Sequence, residues 1–215
     1  MFRGEALETL KGLKFYIDTL EGFIEGERAQ EISELEKHAE QWEAVHEEDF
    51  WAWHYPVHWD EIFANQLRSS FVITLMSLAE SHVGMVAEQA YAIVGASITP
   101  KELRKSPLFE RNRKRLEELA GFTRPDDKSW ESLYEVRTIR NCIVHAGSRI
   151  YDSRTPERVQ ALVGTLPGLS APYEVLELAR EFPVHSFKVV EGFLTDLYDE
   201  ASALCRRVST TNTNP

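Results

Sequence analysis

Apolar residues recur at helical spacing along almost the whole chain, and this pattern limits the fold more than any other feature. The clearest run covers residues 60–95, where apolar side chains from Phe63 to Ala90 occupy every third or fourth position. Similar runs predict further helices over residues 4–25, 27–48, 100–120, 129–147, 155–162 and 182–207. Because a helix with one apolar face must bury that face against another element, the sequence predicts an all-α fold.

The chain divides into three predicted parts. Residues 60–207 are expected to form a bundle of four to five helices, with room for one short strand pair that uses residues 173–178. Residues 1–59 are expected to form an acidic helical extension that ends in an aromatic-rich connector. Residues 208–215 are rich in Ser, Thr and Asn and are expected to be a disordered tail.

Negative charge is concentrated in the N-terminal third of the chain. Residues 1–66 contain 16 acidic and 5 basic residues and so carry the whole net charge of −11, whereas residues 67–215 contain 19 of each. The acidity that disfavours a nucleic-acid partner therefore belongs to one segment. That segment forms either one long helix or two helices with a break between Gly22 and Gly26. We hypothesise that residues 1–48 shield a functional cleft or bind a partner.

Positive charge is concentrated in the predicted helix over residues 100–120. Seven basic residues fall within 15 positions there: Lys101, Arg104, Lys105, Arg111, Arg113, Lys114 and Arg115. Such a cluster is either a solvated helix face or a surface that contacts the phosphate backbone of a nucleic acid. These seven residues are the predicted RNA-binding set.

Composition favours a cytoplasmic location. Cys142 and Cys205 are the two cysteines, which do not make a disulfide framework, so the thiols are expected to be reduced. The N-terminus lacks the basic-then-apolar layout of a signal peptide. No apolar run is expected to be long enough to cross a bilayer, and no membrane partner is predicted.

Residues 50–59 contain five aromatic side chains around Pro56. They are interpreted either as a packed plug between helices or as a platform on which bases stack. His54 and His58, with Asp49 nearby, are a weak metal-ligand pattern because the spacing is loose and no cysteine takes part. No metal site and no cofactor are predicted.

The most definite chemical pattern is Arg140-Asn141-x-x-x-His145. It combines a fixed cation, an amide and an imidazole, which can exchange protons near neutral pH. On a helix, Arg140 shares an arc with Leu133 and Val136, and with Ile143 and Val144, and therefore faces packed or interface surface. Asn141 and His145 lie about 100–140° further round. Ser129 is the predicted cap of this helix, and Gly147 its predicted stop.

Glu80 falls at the margin of the apolar face of the 60–95 helix. Two interpretations remain open: a boundary residue whose tip is solvated, or a charge partner that fixes the Arg140 guanidinium.

The segment from Arg140 to His145, followed by Ala-Gly on a late helix of an all-α bundle, resembles the HEPN family (higher eukaryotes and prokaryotes nucleotide-binding domains). The resemblance implies a four- or five-helix bundle that forms a homodimer through the motif helix. It also implies a metal-independent endoribonuclease that acts in toxin–antitoxin systems, phage defence or RNA processing. The family's upstream acidic residue matches Glu80. Family toxins that nucleotidyltransferase antitoxins neutralise usually carry Tyr two positions after the His, where this chain has Gly147.

Chemistry read from the residues agrees with RNA cleavage by 2′-hydroxyl attack. His145 suits the proton transfer, Arg140 suits charge stabilisation on phosphate, and Asn141 can donate to phosphate or hold the imidazole tautomer. The predicted partners are an RNA substrate, a second copy of the chain and an antitoxin or regulatory protein. The alternative is a catalytically inactive nucleotide- or RNA-binding or dimerisation module, in which Arg140 and Glu80 form a strut and His145 caps its helix.

Overall fold

The computed structural model describes residues 2–41, 47–95 and 107–211, and most of these residues are helical. In chain order the α-helices are α1 (Phe2–Gln41), α2 (Glu47–His54), α3 (Ala64–Val94), α4 (Leu108–Lys114), α5 (Asp127–Ala146), α6 (Pro156–Leu162) and α7 (Glu181–Thr211). A π-helical turn, His58–Phe63, precedes α3, and another, Arg115–Leu119, follows α4. Two short strands, β1 (Leu169–Ser170) and β2 (Glu177–Leu178), flank a 3₁₀ turn at Pro172–Glu174.

Four long helices, α1, α3, α5 and α7, form the bundle, and α3 contacts the other three. Leu75 and Val83 of α3 are fully buried with Leu133 of α5 and Leu194 of α7 in one core cluster. Burial on this scale, at about 25 cal/mol per Å² of apolar surface, is the main force holding a bundle together. The predicted all-α fold with one short strand pair is confirmed.

Helix α1 runs without a break through Gly22 and Gly26 and packs along α3 and α7. Its residues Ala6 and Leu10 are at most 1% exposed and belong to the same core cluster as the rest of the bundle. Near its middle, Arg68 of α3 donates two hydrogen bonds of 2.6 and 2.8 Å to the buried Glu21 carboxylate. The acidic first helix is therefore joined to the bundle by both apolar and ionic contacts.

The burial of the residues just before α3 differs from the predicted pattern. The spacing predicts that Phe63 lies on the apolar face, yet its side chain is about half exposed. The cause is the π-helical turn at His58–Phe63, which contains Phe63 and has more residues per turn than an α-helix, so its side chains point in directions that α-helical spacing does not predict. From Phe71 onward the α-helical spacing holds and the face is buried.

The segment His58–Val94 is 37 residues long and, by length and composition, apolar enough to cross a membrane. The expectation that the chain contains no such segment is therefore wrong. Half of its most apolar stretch is buried inside the bundle, as in the central helix of a water-soluble fold. Length and composition do not separate these two kinds of helix.

The strand pair lies between α6 and α7 in the chain. β1 and β2 are antiparallel, with Leu169 opposite Leu178. The predicted strand over residues 173–178 is shorter in the structure because Tyr173 and Glu174 adopt positive φ angles in the 3₁₀ turn. Gly168 also has a positive φ of 67°, and a Cβ there would lie 2.7 Å from the backbone nitrogen of Phe182.

Helix α7 continues to Thr211, past the predicted end at residue 207.

Replacing Leu10 with Ala should lower the free energy of unfolding by about 2–5 kcal/mol, since it removes a buried side chain and leaves a cavity. Leu108→Ala is the matched control, because the Leu108 side chain is 62% exposed. Urea denaturation followed by circular dichroism measures both variants. Equal, small effects would mean that α1 is not part of the cooperative core.

Candidate functional site

Helix α5 carries the Arg-Asn-x-x-x-His motif, and both of its ends are capped. Ser129 is predicted as the N-terminal cap, but the structure places the cap at Asp126, whose carboxylate accepts a 2.8 Å hydrogen bond from the Ser129 backbone N–H. The hydrogen bonds with Ser129 lower the pKa of Asp126. At the other end, Gly147 adopts a φ of 56°, as its predicted role as helix stop requires.

The buried face of α5 is rotated from the predicted arc. Leu133 and Val136 are fully buried as expected, but Ile139 and Cys142 are buried with them, whereas Val144 is 46% exposed. Arg140 lies at the edge of the buried face with a side chain that is 13% exposed. The rotation arises because α5 packs between α3 and α7, and both neighbours contribute to its apolar contact.

An open groove with a volume of about 710 Å³ runs along the exposed edge of α5. Its lining includes all four of the predicted catalytic residues: Glu80, Arg140, Asn141 and His145. The remaining lining residues come from α4 and its preceding residue, from α5, and from the loop and helix that follow: Pro107, Glu110, Tyr134, Arg137, Thr138, Ser153, Arg154, Thr155 and Arg158. The groove therefore combines two carboxylates with four guanidinium groups and one imidazole.

Glu80 bridges two arginines of α5. Its Oε1 accepts a 2.8 Å hydrogen bond from Arg137 Nε, and its Oε2 forms an ion pair with Arg140 Nη2. The structure therefore contains the contact that the charge-partner interpretation of Glu80 describes. The Arg140 contact has the distance of an ion pair without the angles of a hydrogen bond, and Arg140 Nε is buried with no hydrogen-bond partner among the described residues.

Arg137 is a groove residue that the motif does not predict. Besides Glu80, its guanidinium lies 3.9 Å from Glu110 Oε1 and 5.0 Å from the centre of the Phe109 ring. These contacts fix the side chain from three sides. Its position one turn before Arg140 is the only sequence signal that could have identified it, because i and i+3 residues share a helix face.

Asn141 and His145 face the open side of the groove. His145 is exposed and Asn141 half-buried. Neither side chain makes a hydrogen bond or an ion pair with a residue in the described part of the chain. Both are therefore accessible to a ligand in the groove.

The outer wall of the groove is the segment after the motif helix. Ser148 accepts a 2.9 Å hydrogen bond from the Leu176 backbone N–H, and the Ile150 N–H donates to the Glu174 carbonyl at the same distance. Helix α6 then rests on α5 through the fully buried Val159. These contacts place the exposed Arg158 on the groove, together with Arg154 from the loop before α6.

Cys142 and Tyr134 of α5 have raised pKa values. Burial raises the pKa of the Cys142 thiol, whose Sγ contacts the Arg149 carbonyl at 3.6 Å. Burial, and after it the charge of Glu110, raises the pKa of Tyr134 in the groove wall. Both groups are therefore neutral at physiological pH, and neither is an activated nucleophile.

The predicted RNA-binding cluster is only partly described. Lys101, Arg104 and Lys105 lie outside the described residues. Arg113 is held by Glu117 and Asp127 and lies over the Trp130 ring, and Arg115 lies over Tyr91. Arg111 is half-buried and Lys114 is exposed. None of these four lines the groove, and their contact with RNA stays a prediction.

The aromatic connector packs against α1. Phe50 is buried, Trp59 Nε1 donates a 2.6 Å hydrogen bond to Glu31, and His58 lies 3.3 Å from the same carboxylate. Neither these residues nor any described residue of α1 lines the groove, so the described part of residues 1–48 does not cover it. Asp49 lies in α2, and no cluster of three His, Cys, Asp or Glu side chains that could hold a metal ion occurs within residues 2–41, 47–95 and 107–211.

Replacing Glu80 with Ala should lower the free energy of unfolding by about 1–3 kcal/mol, because Arg137 and Arg140 lose their shared counter-charge at partly buried positions. Glu88→Ala is the control, since Glu88 is exposed on the same helix. Its effect should stay within about 0.5 kcal/mol. Both variants are measured by urea unfolding. Equal losses of unfolding free energy in the two variants would contradict the bridging role of Glu80.

Comparison of the chain with family models, curated proteins and solved structures finds no match. Function is therefore inferred from the residues of the groove.

Proposed function

We propose that this protein is a metal-independent endoribonuclease of HEPN type, and that the groove along α5 holds the RNA phosphate to be cleaved. The observation that carries the proposal is the convergence of Arg140, Asn141 and His145 on one open groove. Arg140 brings a buried Nε donor that has no hydrogen-bond partner among the described residues. A buried donor without an acceptor is unfavourable, so a small movement of the side chain that brings this N–H to a phosphate oxygen in the groove would be favoured.

The reaction needs two proton transfers and stabilisation of negative charge. The RNA 2′-oxygen attacks the adjacent phosphorus as its proton passes to a base, and the bond from phosphorus to the 5′-oxygen breaks as that oxygen takes up a proton. The products are a 2′,3′-cyclic phosphate and a 5′-hydroxyl end. His145 carries one proton transfer, while Arg140 and Asn141 donate to the phosphoryl oxygens, where charge accumulates in the transition state.

Glu80 acts through Arg140 in this mechanism. The ion pair to Nη2 holds one side of the guanidinium, and the buried Nε keeps its donor capacity unused within the described residues. Glu80 also accepts a hydrogen bond from Arg137, so its carboxylate lies between the two neighbouring cations and weakens their repulsion. Glu80 is accordingly a positioning residue rather than the acid or base.

A second copy of the chain would supply the second proton carrier. Val144 is an apolar side chain that is 46% exposed on α5, one turn after Arg140, and Tyr151 in the following loop is 59% exposed. A dimer that covers α5 would bury both residues and bring two His145 imidazoles to one composite cleft. One imidazole would then act as base and the other as acid.

The same contacts also favour a second candidate function. The Arg137–Glu80–Arg140 network is mostly covered, with side-chain exposures of 24%, 29% and 13%, as in a structural strut. A catalytically inactive module that binds RNA or nucleotides, or only dimerises, would keep this network and lack cleavage. In either role we propose that the protein acts in toxin–antitoxin systems, phage defence or RNA processing, with an antitoxin or regulatory protein as a further partner.

Replacing His145 with Ala should lower the rate of RNA cleavage by about 10²–10⁴-fold, because a positioned proton carrier is lost. The measurement is cleavage of a labelled RNA by purified protein, with end analysis for the cyclic phosphate and with EDTA added to one series. Cleavage should continue in EDTA. Arg140→Ala should be similarly impaired.

His38→Ala is the matched control, because His38 is exposed on α1 and does not line the groove. A folded wild type that binds RNA without cleaving it would overturn the enzyme proposal and favour the binding module. If the His145→Ala variant still cleaves RNA, His145 is not the proton carrier.

Sedimentation velocity should show a dimer for the wild type and a monomer for Val144→Glu, because a charge in an apolar contact is costly to bury. Cleavage should disappear together with the dimer. Val184→Glu is the matched control, since Val184 is 44% exposed on α7. A wild type that is a strict monomer at assay concentrations would exclude the composite cleft.

A further inference from the structure

The charges of the groove are divided unequally between its two walls. On the inner wall, Arg137 and Arg140 share Glu80, and Glu110 lies 3.9 Å from Arg137. On the outer wall, Arg154 and Arg158 are exposed and form no ion pair within the described part of the chain. The outer wall therefore carries the cations that no carboxylate of the groove compensates.

The outer wall is also held in place. Backbone hydrogen bonds of 2.9 Å tie Ser148 to Leu176 and Ile150 to Glu174, ahead of Arg154. After it, Val159 is fully buried and Leu162 is 7% exposed, so α6 is anchored directly beside Arg158. Arginines on an anchored segment lose less conformational freedom when they bind an anion than arginines on a loose loop.

We propose that Arg154 and Arg158 form a phosphate-binding subsite for single-stranded RNA, distinct from the phosphate that Arg140 and His145 would cleave. This proposal rests on the proposed function, since it assigns the substrate strand of the same groove. A guanidinium binds phosphate through paired N–H donors, and it carries its charge throughout the physiological pH range.

The size of the groove favours a single strand. A volume of about 710 Å³ is that of a small-molecule pocket and accommodates a short stretch of splayed nucleotides. A paired RNA helix is instead recognised by its shape, across a wide, shallow minor groove. The subsite contributes to affinity and register along the strand, because phosphate contacts position a nucleic acid without reading its bases.

The test uses the full chain with His145→Ala as a common background, so that RNA is not consumed during binding. The dissociation constant of a labelled single-stranded RNA of about twelve nucleotides is measured at several salt concentrations with and without Arg154→Gln/Arg158→Gln. The double variant should weaken binding by about tenfold at low salt. The slope of log affinity against log salt should fall by at least about 0.7, the loss of one phosphate contact on a single strand.

Arg206→Gln/Arg207→Gln removes the same charge from exposed positions of α7 outside the groove and should leave binding unchanged. Arg154→Lys/Arg158→Lys keeps the charge and should retain most of the affinity. If the two Gln double variants lose the same affinity for RNA, the effect is one of net charge alone, and this outcome would overturn the subsite. Unchanged binding in Arg154→Gln/Arg158→Gln, or a wild type that does not bind RNA, would also overturn it.

Cleavage assays with His145 intact separate this proposal from the proposed function. The Arg154→Gln/Arg158→Gln variant should lose activity through a higher KM rather than a lower kcat. If wild-type protein binds RNA through these arginines but never cleaves it, the subsite stands and the ribonuclease proposal fails. If cleavage occurs with an unchanged KM in the double variant, the ribonuclease proposal stands and the subsite fails.

Discussion

The ion pairs of Glu80 with Arg137 and Arg140 are the contacts on which the geometry of the groove depends. They connect the central helix α3 to the motif helix α5 at partly buried positions. Two guanidinium groups one turn apart would repel each other without a shared carboxylate, and their side chains would turn toward water. With Glu80 between them, both cations stay at the groove wall. Partial burial limits solvent screening of these pairs, but it also carries a desolvation cost, so their larger effect is on orientation rather than on stability.

Several features of the fold follow from local sequence. The helical spacing of apolar residues predicts the α-helices of the bundle, and Gly147 predicts the end of α5, because both depend on neighbours close in the chain. The pairing of Glu80 with Arg140 could also be anticipated, since a carboxylate at the edge of an apolar face needs a partner. Phe63 could not be placed correctly, because the π-helical turn that rotates it leaves no clear mark in the residue pattern.

The groove itself is less predictable than the motif. Arg154 and Arg158 line it, and the chain before them is held by backbone hydrogen bonds with Leu176 and Glu174, which lie many positions further on. The basic cluster shows the opposite outcome. The sequence predicts Arg113 to be a surface cation, but its guanidinium pairs with two carboxylates and lies over the Trp130 ring. Which cations remain available to a ligand is decided by tertiary contacts, and these are not visible in charge patterning.

The hydrogen bond between Ser148 and Leu176 has an evolutionary consequence. The segment around Leu176 shares no side chain with the groove, yet its backbone holds the outer wall in position. Backbone hydrogen bonds depend little on side-chain identity, so Val175, which is 38% exposed, can vary in sequence while the groove keeps its shape. Leu176 is constrained for a different reason, because its side chain is 1% exposed in the core. An insertion or deletion in the same short segment would instead shift the wall. Among related chains, a constant length between the motif and α7 should therefore mark a preserved groove more reliably than the identity of the exposed residue at position 175.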